Sequence, residues 1–136
     1  EVRSVALSSA GRELRLIPTG APCTVHIRYR VVQPVDDFVF GISWRKLDGT
    51  HVGGHNTDMD GLEPRRLAAD GEMRCRYASL DLAPGAYQLD VAIHRRDGLA
   101  FDYWCDVARI RVTSAVEWPG VWAPDHRWDG DGPQWK

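Results

Sequence analysis

The chain has 136 residues, 43% hydrophobic and 26% charged, with a formal net charge of −2. That is the size and composition of one globular domain, which excludes a disordered or fibrous chain. The charge excludes a non-specific nucleic-acid binder, and no apolar run approaches the ~18 residues of a membrane helix.

The elements are strands, because the dominant period is two. Weak strand patterns occupy 2–8 and 13–17, separated by an Ala10-Gly11 turn and followed by a Thr19-Gly20 turn. Residues 25–32 alternate, with Ile27 inward and His26, Arg28 and Arg30 outward. Residues 38–46 place Phe38, Phe40, Ile42 and Trp44 on one face and Ser43 and Arg45 on the other. Asp48-Gly49 then marks a hairpin into a weaker strand at 50–56. Residues 57–71 read as a loop and 72–82 as another weak strand. After Ala83-Pro84-Gly85, residues 87–94 turn Tyr87, Leu89, Val91 and Ile93 inward and Gln88, Asp90 and His94 outward. Asp97-Gly98 is the next turn, and 106–113 turn Ala108, Ile110 and Val112 inward with Arg109 and Arg111 outward. About eight such strands predict an all-β, antiparallel β-sandwich over residues 1–113, of immunoglobulin-like or jelly-roll type.

Residues 114–136 differ in character. Of the six Trp, Trp118, Trp122, Trp128 and Trp135 lie here among Pro, Gly and Asp. Such rings are costly to leave in water and suit a tail that covers a sheet edge or a second copy. Trp122, His126 and Trp128 are the tail residues expected to make that contact.

Most catalytic and metal signatures are missing. There is no P-loop, no G-x-S-x-G elbow and no H-E-x-x-H. His51 and His55, spaced i, i+4 on an extended segment, read with Asp58 as polar loop residues rather than metal ligands. Asp58-Met59-Asp60-Gly61 and Asp129-Gly130-Asp131-Gly132 read as turns, since both lack the later ligands of a calcium loop. Asp36-Asp37 and Asp102/Asp106 are the paired carboxylates, in no recognisable acid/base setting. Cys23, Cys75 and Cys105 are odd in number and lack a C-x-x-C spacing, which suits free thiols in a reducing compartment. The expectation is a non-enzymatic domain without cofactor or metal.

What remains is a polar sheet face. Arg supplies 15 of the 17 basic residues, and Arg offers a planar, forked donor. If the strands are neighbours, His26, Arg28, Arg30, Arg45, Asp90, His94 and Arg109 form one field of donors and acceptors for hydroxyl groups. Tyr103 and Trp104 are the aromatics placed to stack on a sugar ring, with Trp104 taken first. A solvated face laced with ion pairs is the plain alternative.

One ordered set of motifs carries a resemblance. It runs from Val39 to Thr57, through Leu82-Ala83-Pro84-Gly85-Ala86-Tyr87, Asp102-Tyr103 and Ala108-Arg109-Ile110-Arg111-Val112, to Gly120-Val121-Trp122 and His126-Arg127-Trp128. In this order, over about residues 2–128, the set resembles the C-terminal domain of Wzt, the ATPase subunit of bacterial O-antigen polysaccharide ABC transporters. The resemblance implies a sandwich that follows a separate nucleotide-binding domain, in keeping with the missing start Met. It implies recognition of the O-polysaccharide on the cytoplasmic side of the inner membrane before export. It implies a homodimer in which the tail is exchanged, beside the transporter's transmembrane partner. A dimerisation module without sugar specificity is the alternative function.

Overall fold

The computed structural model describes residues 1–9, 12–13 and 15–135. Nine strands are formed: β1 (Val2–Ser9), β2 (Arg12–Glu13), β3 (Leu16–Pro18), β4 (Cys23–Tyr29), β5 (Val39–Lys46), β6 (His51–Asn56), β7 (Gly71–Tyr77), β8 (Gly85–His94) and β9 (Ala100–Thr113). The turn expected at Ala10-Gly11 and the side chain of Trp135 lie outside the described residues.

The strands form two sheets, ordered β2-β1-β4-β7 and β3-β9-β8-β5-β6. Every pairing is antiparallel except β3 with β9, which is parallel. This is the immunoglobulin-like order, with the chain crossing between sheets after β2, β3, β4, β6 and β7. The inward residues expected from alternation are the core: Val25 and Ile27 from one sheet meet Phe40, Ile42, Trp44, Tyr87, Leu89, Val91, Ile93, Ile110 and Val112 from the other.

Two local features fix the frame. Lys46 N–H donates to Thr50 O at 2.9 Å and Gly49 N–H to Lys46 O at 3.0 Å, closing the β5–β6 hairpin. Gly49 takes φ +91°, which a side chain would resist, and Asp48 accepts the Thr50 N–H at 2.8 Å. At the entry to β8, the Tyr87 hydroxyl donates to Ala83 O at 2.6 Å with both residues buried. The Leu82–Tyr87 motif is therefore a tyrosine corner of the sandwich.

Three strand expectations are corrected. The strand expected at 72–82 stops at Tyr77, and the segment beyond it turns across the end of the sandwich. The expected 13–17 strand is two short pieces, β2 and β3, one in each sheet. The strand expected at 106–113 begins at Ala100. Its first half escapes the apolar alternation because Asp102 stands at an inward position and Phe101 and Tyr103 at outward ones. β9 also bulges: between the pairs Leu89–Ala108 and Val91–Trp104, Asp90 alone faces Cys105, Asp106 and Val107.

The tail folds back on its own chain. Ala83 N–H donates to Val121 O and Ala123 N–H to Asp81 O, both at 2.9 Å, bracketing a Leu82–Trp122 bridge. Among the described residues, no helix is long and apolar enough to cross a membrane.

Candidate functional site

The polar residues expected on one sheet face divide between two. His26, Arg28 and Arg30 belong to β4 or its end in the four-stranded sheet, whereas Arg45, Asp90, His94 and Arg109 belong to β5, β8 and β9 in the other. The outer faces of a sandwich point away from each other, so these residues do not form one field. The correction is one of topology: alternation says inward or outward, and only strand order says which sheet.

On the four-stranded sheet the outer face is an ion-pair network around Glu72. His26 Nδ1 lies 2.7 Å from Glu72 Oε1, Arg74 Nε 2.8 Å from the same atom, and Arg28 Nε 3.3 Å from Oε2. The carboxylate only accepts, so Nδ1 donates, and in a neutral ring Nε2 accepts from the Ser8 hydroxyl at 2.7 Å. Hydrogen bonding from His26, then from Arg28, holds the Glu72 carboxyl below its ordinary range. Exposed Arg76, opposite Thr24, adds a further cation. Arg30 lies apart, exchanging backbone hydrogen bonds with Glu1 at the sandwich end.

On the five-stranded sheet the outer face carries a groove of about 360 Å³, within the range of small-molecule sites. β5 supplies Gly41 and Ser43, β6 His51, Gly54 and Asn56, β8 Asp90, Ala92 and His94, and β9 Ala100 and Tyr103. The central positions of the floor are glycine and alanine, which leave space above the sheet. The walls are His51, His94, half-exposed Tyr103 and the exposed Met59.

The polar atoms of this groove are oriented. His51 Nε2 sits 2.9 Å from Ser43 Oγ. His94 Nδ1 donates to Arg95 O at 2.6 Å, so in a neutral ring Nε2 is an acceptor facing Gly41. Burial, then a hydrogen bond with Cys105, raises the Tyr103 hydroxyl above its ordinary value and keeps it a neutral O–H.

Beneath one end lies Asp90, only 1% exposed. Its Oδ1 accepts the Asp106 N–H at 2.7 Å, and Arg45 Nε lies 3.0 Å from its Oδ2. That Arg45 N–H is not aligned for a hydrogen bond, so the contact is ionic. Arg109 turns away to grip Asp106, with its guanidinium 2.6–3.1 Å from both carboxylate oxygens. Thus His94 lines the groove, Asp90 and Arg45 support it, and Arg109 closes the bulge beside it.

Of the two candidate stacking aromatics, Tyr103 lines the groove and Trp104 does not. Trp104 pairs with Val91 and is 38% exposed outside the core, while Tyr103 pairs with Ala92 and faces the groove. Ser43, His51, Asn56 and Gly41 were the groove residues that the choice of charged side chains passed over. The signal that finds them is the run of small residues Gly41, Ser43, Gly53 and Gly54 on the two strands joined by the Asp48-Gly49 turn.

The remaining candidates have other roles. His55 faces inward, where the Trp44 Nε1–H donates to the Tyr77 hydroxyl at 3.0 Å and that hydroxyl meets His55 Nε2 at 2.5 Å. Asp58 pairs with Arg96 at 3.4 Å, so His51, His55 and Asp58 do not converge. Asp36 and Asp37 meet Arg66 and Arg95, and Asp102 accepts the Val2 N–H at 2.6 Å. Burial pushes the Cys23 thiol up to about 11, which keeps it unreactive. His126 sits edge-on between Trp118 and Trp128, at centroid distances of 5.7 and 6.4 Å, and Trp122 and Trp128 are 71% and 90% exposed.

A family model described as the Wzt C-terminal domain matches residues 1–123. The chain belongs to the Wzt C-terminal domain family. The fold agrees: the crystal structure of the C-terminal domain of Wzt matches with a TM-score of 0.83 at 20% identity, covering 96% of this chain and 83% of that one. No curated protein matches the chain by sequence. The Wzt family match ends at Ala123, where the tail's backbone pairing with Asp81–Ala83 also ends. The glycine-floored β5–β6 hairpin and the tyrosine corner both lie inside the Wzt match.

Proposed function

We propose that this domain recognises, without catalysis, a bacterial O-antigen polysaccharide before export by an ABC transporter. The observation that carries the reading is the groove on the outer face of the five-stranded sheet. It presents hydroxyl, amide, imidazole and phenol groups over a floor of small residues. Sugar hydroxyls take such donors and acceptors, and Tyr103 offers a ring face for stacking. Membership in the Wzt family supports the transporter setting. In that setting the domain follows a nucleotide-binding domain, works beside a transmembrane partner and lies at the cytoplasmic side of the inner membrane.

The test is titration of the purified chain with the O-polysaccharide of the producing bacterium. Saturable binding that weakens in Tyr103→Ala and His94→Ala is expected. Absence of binding at millimolar sugar overturns the reading.

The second reading is a module that pairs two copies of the parent protein. The exposed Trp122 and Trp128 favour it, because two large rings on one short tail offer apolar area for a partner to cover. The sandwich, residues 1–113, would then be joined through the tail, residues 114–136, to a second copy. Light scattering of the chain with and without 114–136 distinguishes the cases: a mass of two chains that falls to one supports pairing through the tail.

A further inference from the structure

We infer that the groove selects an uncharged sugar, and that the basic face on the opposite side of the sandwich takes no part in reading the glycan. The inference rests on the reading that this groove is the glycan site.

The argument is one of charge. Among the described residues lining the groove there is no Arg or Lys. Its one carboxylate, Asp90, is buried and held 3.0 Å from Arg45 Nε. The cation beside the groove, Arg45, is already paired with Asp90, so an anion entering there loses its water without gaining a free cationic partner, which is the costly case. A neutral ring loses hydroxyl hydration and regains it from Ser43, His51, Asn56, His94 and Tyr103. On the other sheet Arg28 and Arg74 pair with Glu72, and exposed Arg76 adds a cation with no carboxylate pair among the described residues. An acidic sugar is drawn to that face, so the two surfaces have opposite preferences.

Size follows from the floor. A Cβ added at Gly41 would lie 3.7 Å from Asn56 Cβ and 3.8 Å from His94 Nε2, ordinary contact distances. The backbone there accepts a side chain, and a larger one fills the space the ligand needs. Gly41→Val therefore blocks the groove without demanding a new fold, and its melting curve checks that.

The experiment separates the producing bacterium's O-polysaccharide on an anion exchanger into neutral and acidic fractions. Each is titrated into the full chain by calorimetry at low and high salt. Binding to the neutral fraction is expected, with affinity changing less than about twofold with salt, since screening does not act on an uncharged ligand. Gly41→Val weakens it by about tenfold or more, and Arg74→Ala leaves it unchanged. Binding confined to the acidic fraction, loss in Arg74→Ala, or full binding by Gly41→Val overturns the inference while glycan recognition stands. Binding to neither fraction overturns the glycan reading itself.

Discussion

The buried carboxylate of Asp90 accepts the backbone N–H of Asp106 at 2.7 Å, across the bulge of β9. Asp106 is the only non-glycine among the described residues with positive φ, +52°. A side chain in that conformation needs an external hold, and Asp90 supplies it. The bulge in turn returns β9 to register, so that Tyr103 lies over Ala92 in the groove wall. A buried acidic residue thereby shapes the groove that it lines.

Asp90→Ala strands the Arg45 cation and leaves the Asp106 N–H without its acceptor. The expected loss is about 2–4 kcal/mol, below the full cost of a broken buried pair because Arg45 keeps some solvent. Urea unfolding measures it, and a loss under about 0.5 kcal/mol shows that Asp90 does not hold the bulge.

Tyr87→Phe tests the tyrosine corner. Its hydroxyl donates to Ala83 O at 2.6 Å, and Ala83 is fully buried, so the carbonyl is left unsatisfied. A loss of about 1–3 kcal/mol is expected in the same unfolding measurement, with the fold and the groove unchanged.

How much of this was legible can be judged strand by strand. Ile42 and Trp44, or Leu89, Val91 and Ile93, declare their face by alternation, since one buried face per sheet demands it. The first half of β9 breaks that signal by residue type: Asp102 takes an inward position opposite Ile93, while the aromatics Phe101 and Tyr103 take outward ones, and the bulge that follows adds two residues and leaves the frame unchanged. So the first half of β9 was missed, and which of the adjacent Tyr103 and Trp104 lines the groove was not legible. Strand order was illegible for a different reason. Which strand lies beside which depends on contacts distant in sequence, so His26 and Arg45 were grouped although their sheets face opposite ways. The groove itself is built on glycine and alanine, residues that signal by what they omit.

Glu72 gives the pH dependence. Its carboxyl is held below the ordinary value of 4.5, first by hydrogen bonding from His26. A depressed carboxyl contributes stability that is fully present above its unfolded value and is lost as pH falls through the folded one. Thermal melts from pH 7 down to pH 2 will show that loss in the native chain. Glu72→Gln is expected to melt lower at neutral pH and to show a shallower acid decline. Parallel acid declines would remove Glu72 from the account.

The tail divides at Ala123. Removing 124–136 is expected to leave the melting temperature unchanged, because the backbone pairing with Asp81–Ala83 ends at Ala123. Removing 114–136 takes away two backbone hydrogen bonds and the buried Ala123, at about 2–3 kcal/mol. Equal stability of the two truncations contradicts this division.

The central claim is that the glycan is read in the groove of the five-stranded sheet. Amide chemical shifts of the labelled chain, followed while the O-polysaccharide of the producing bacterium is added, test it most directly. The account predicts saturable shifts at Gly41, Ser43, Asn56, His94 and Tyr103, with Glu72, Arg74 and Trp128 unmoved. Shifts centred on Glu72 and Arg74 or on the tail, or none at all, would contradict it.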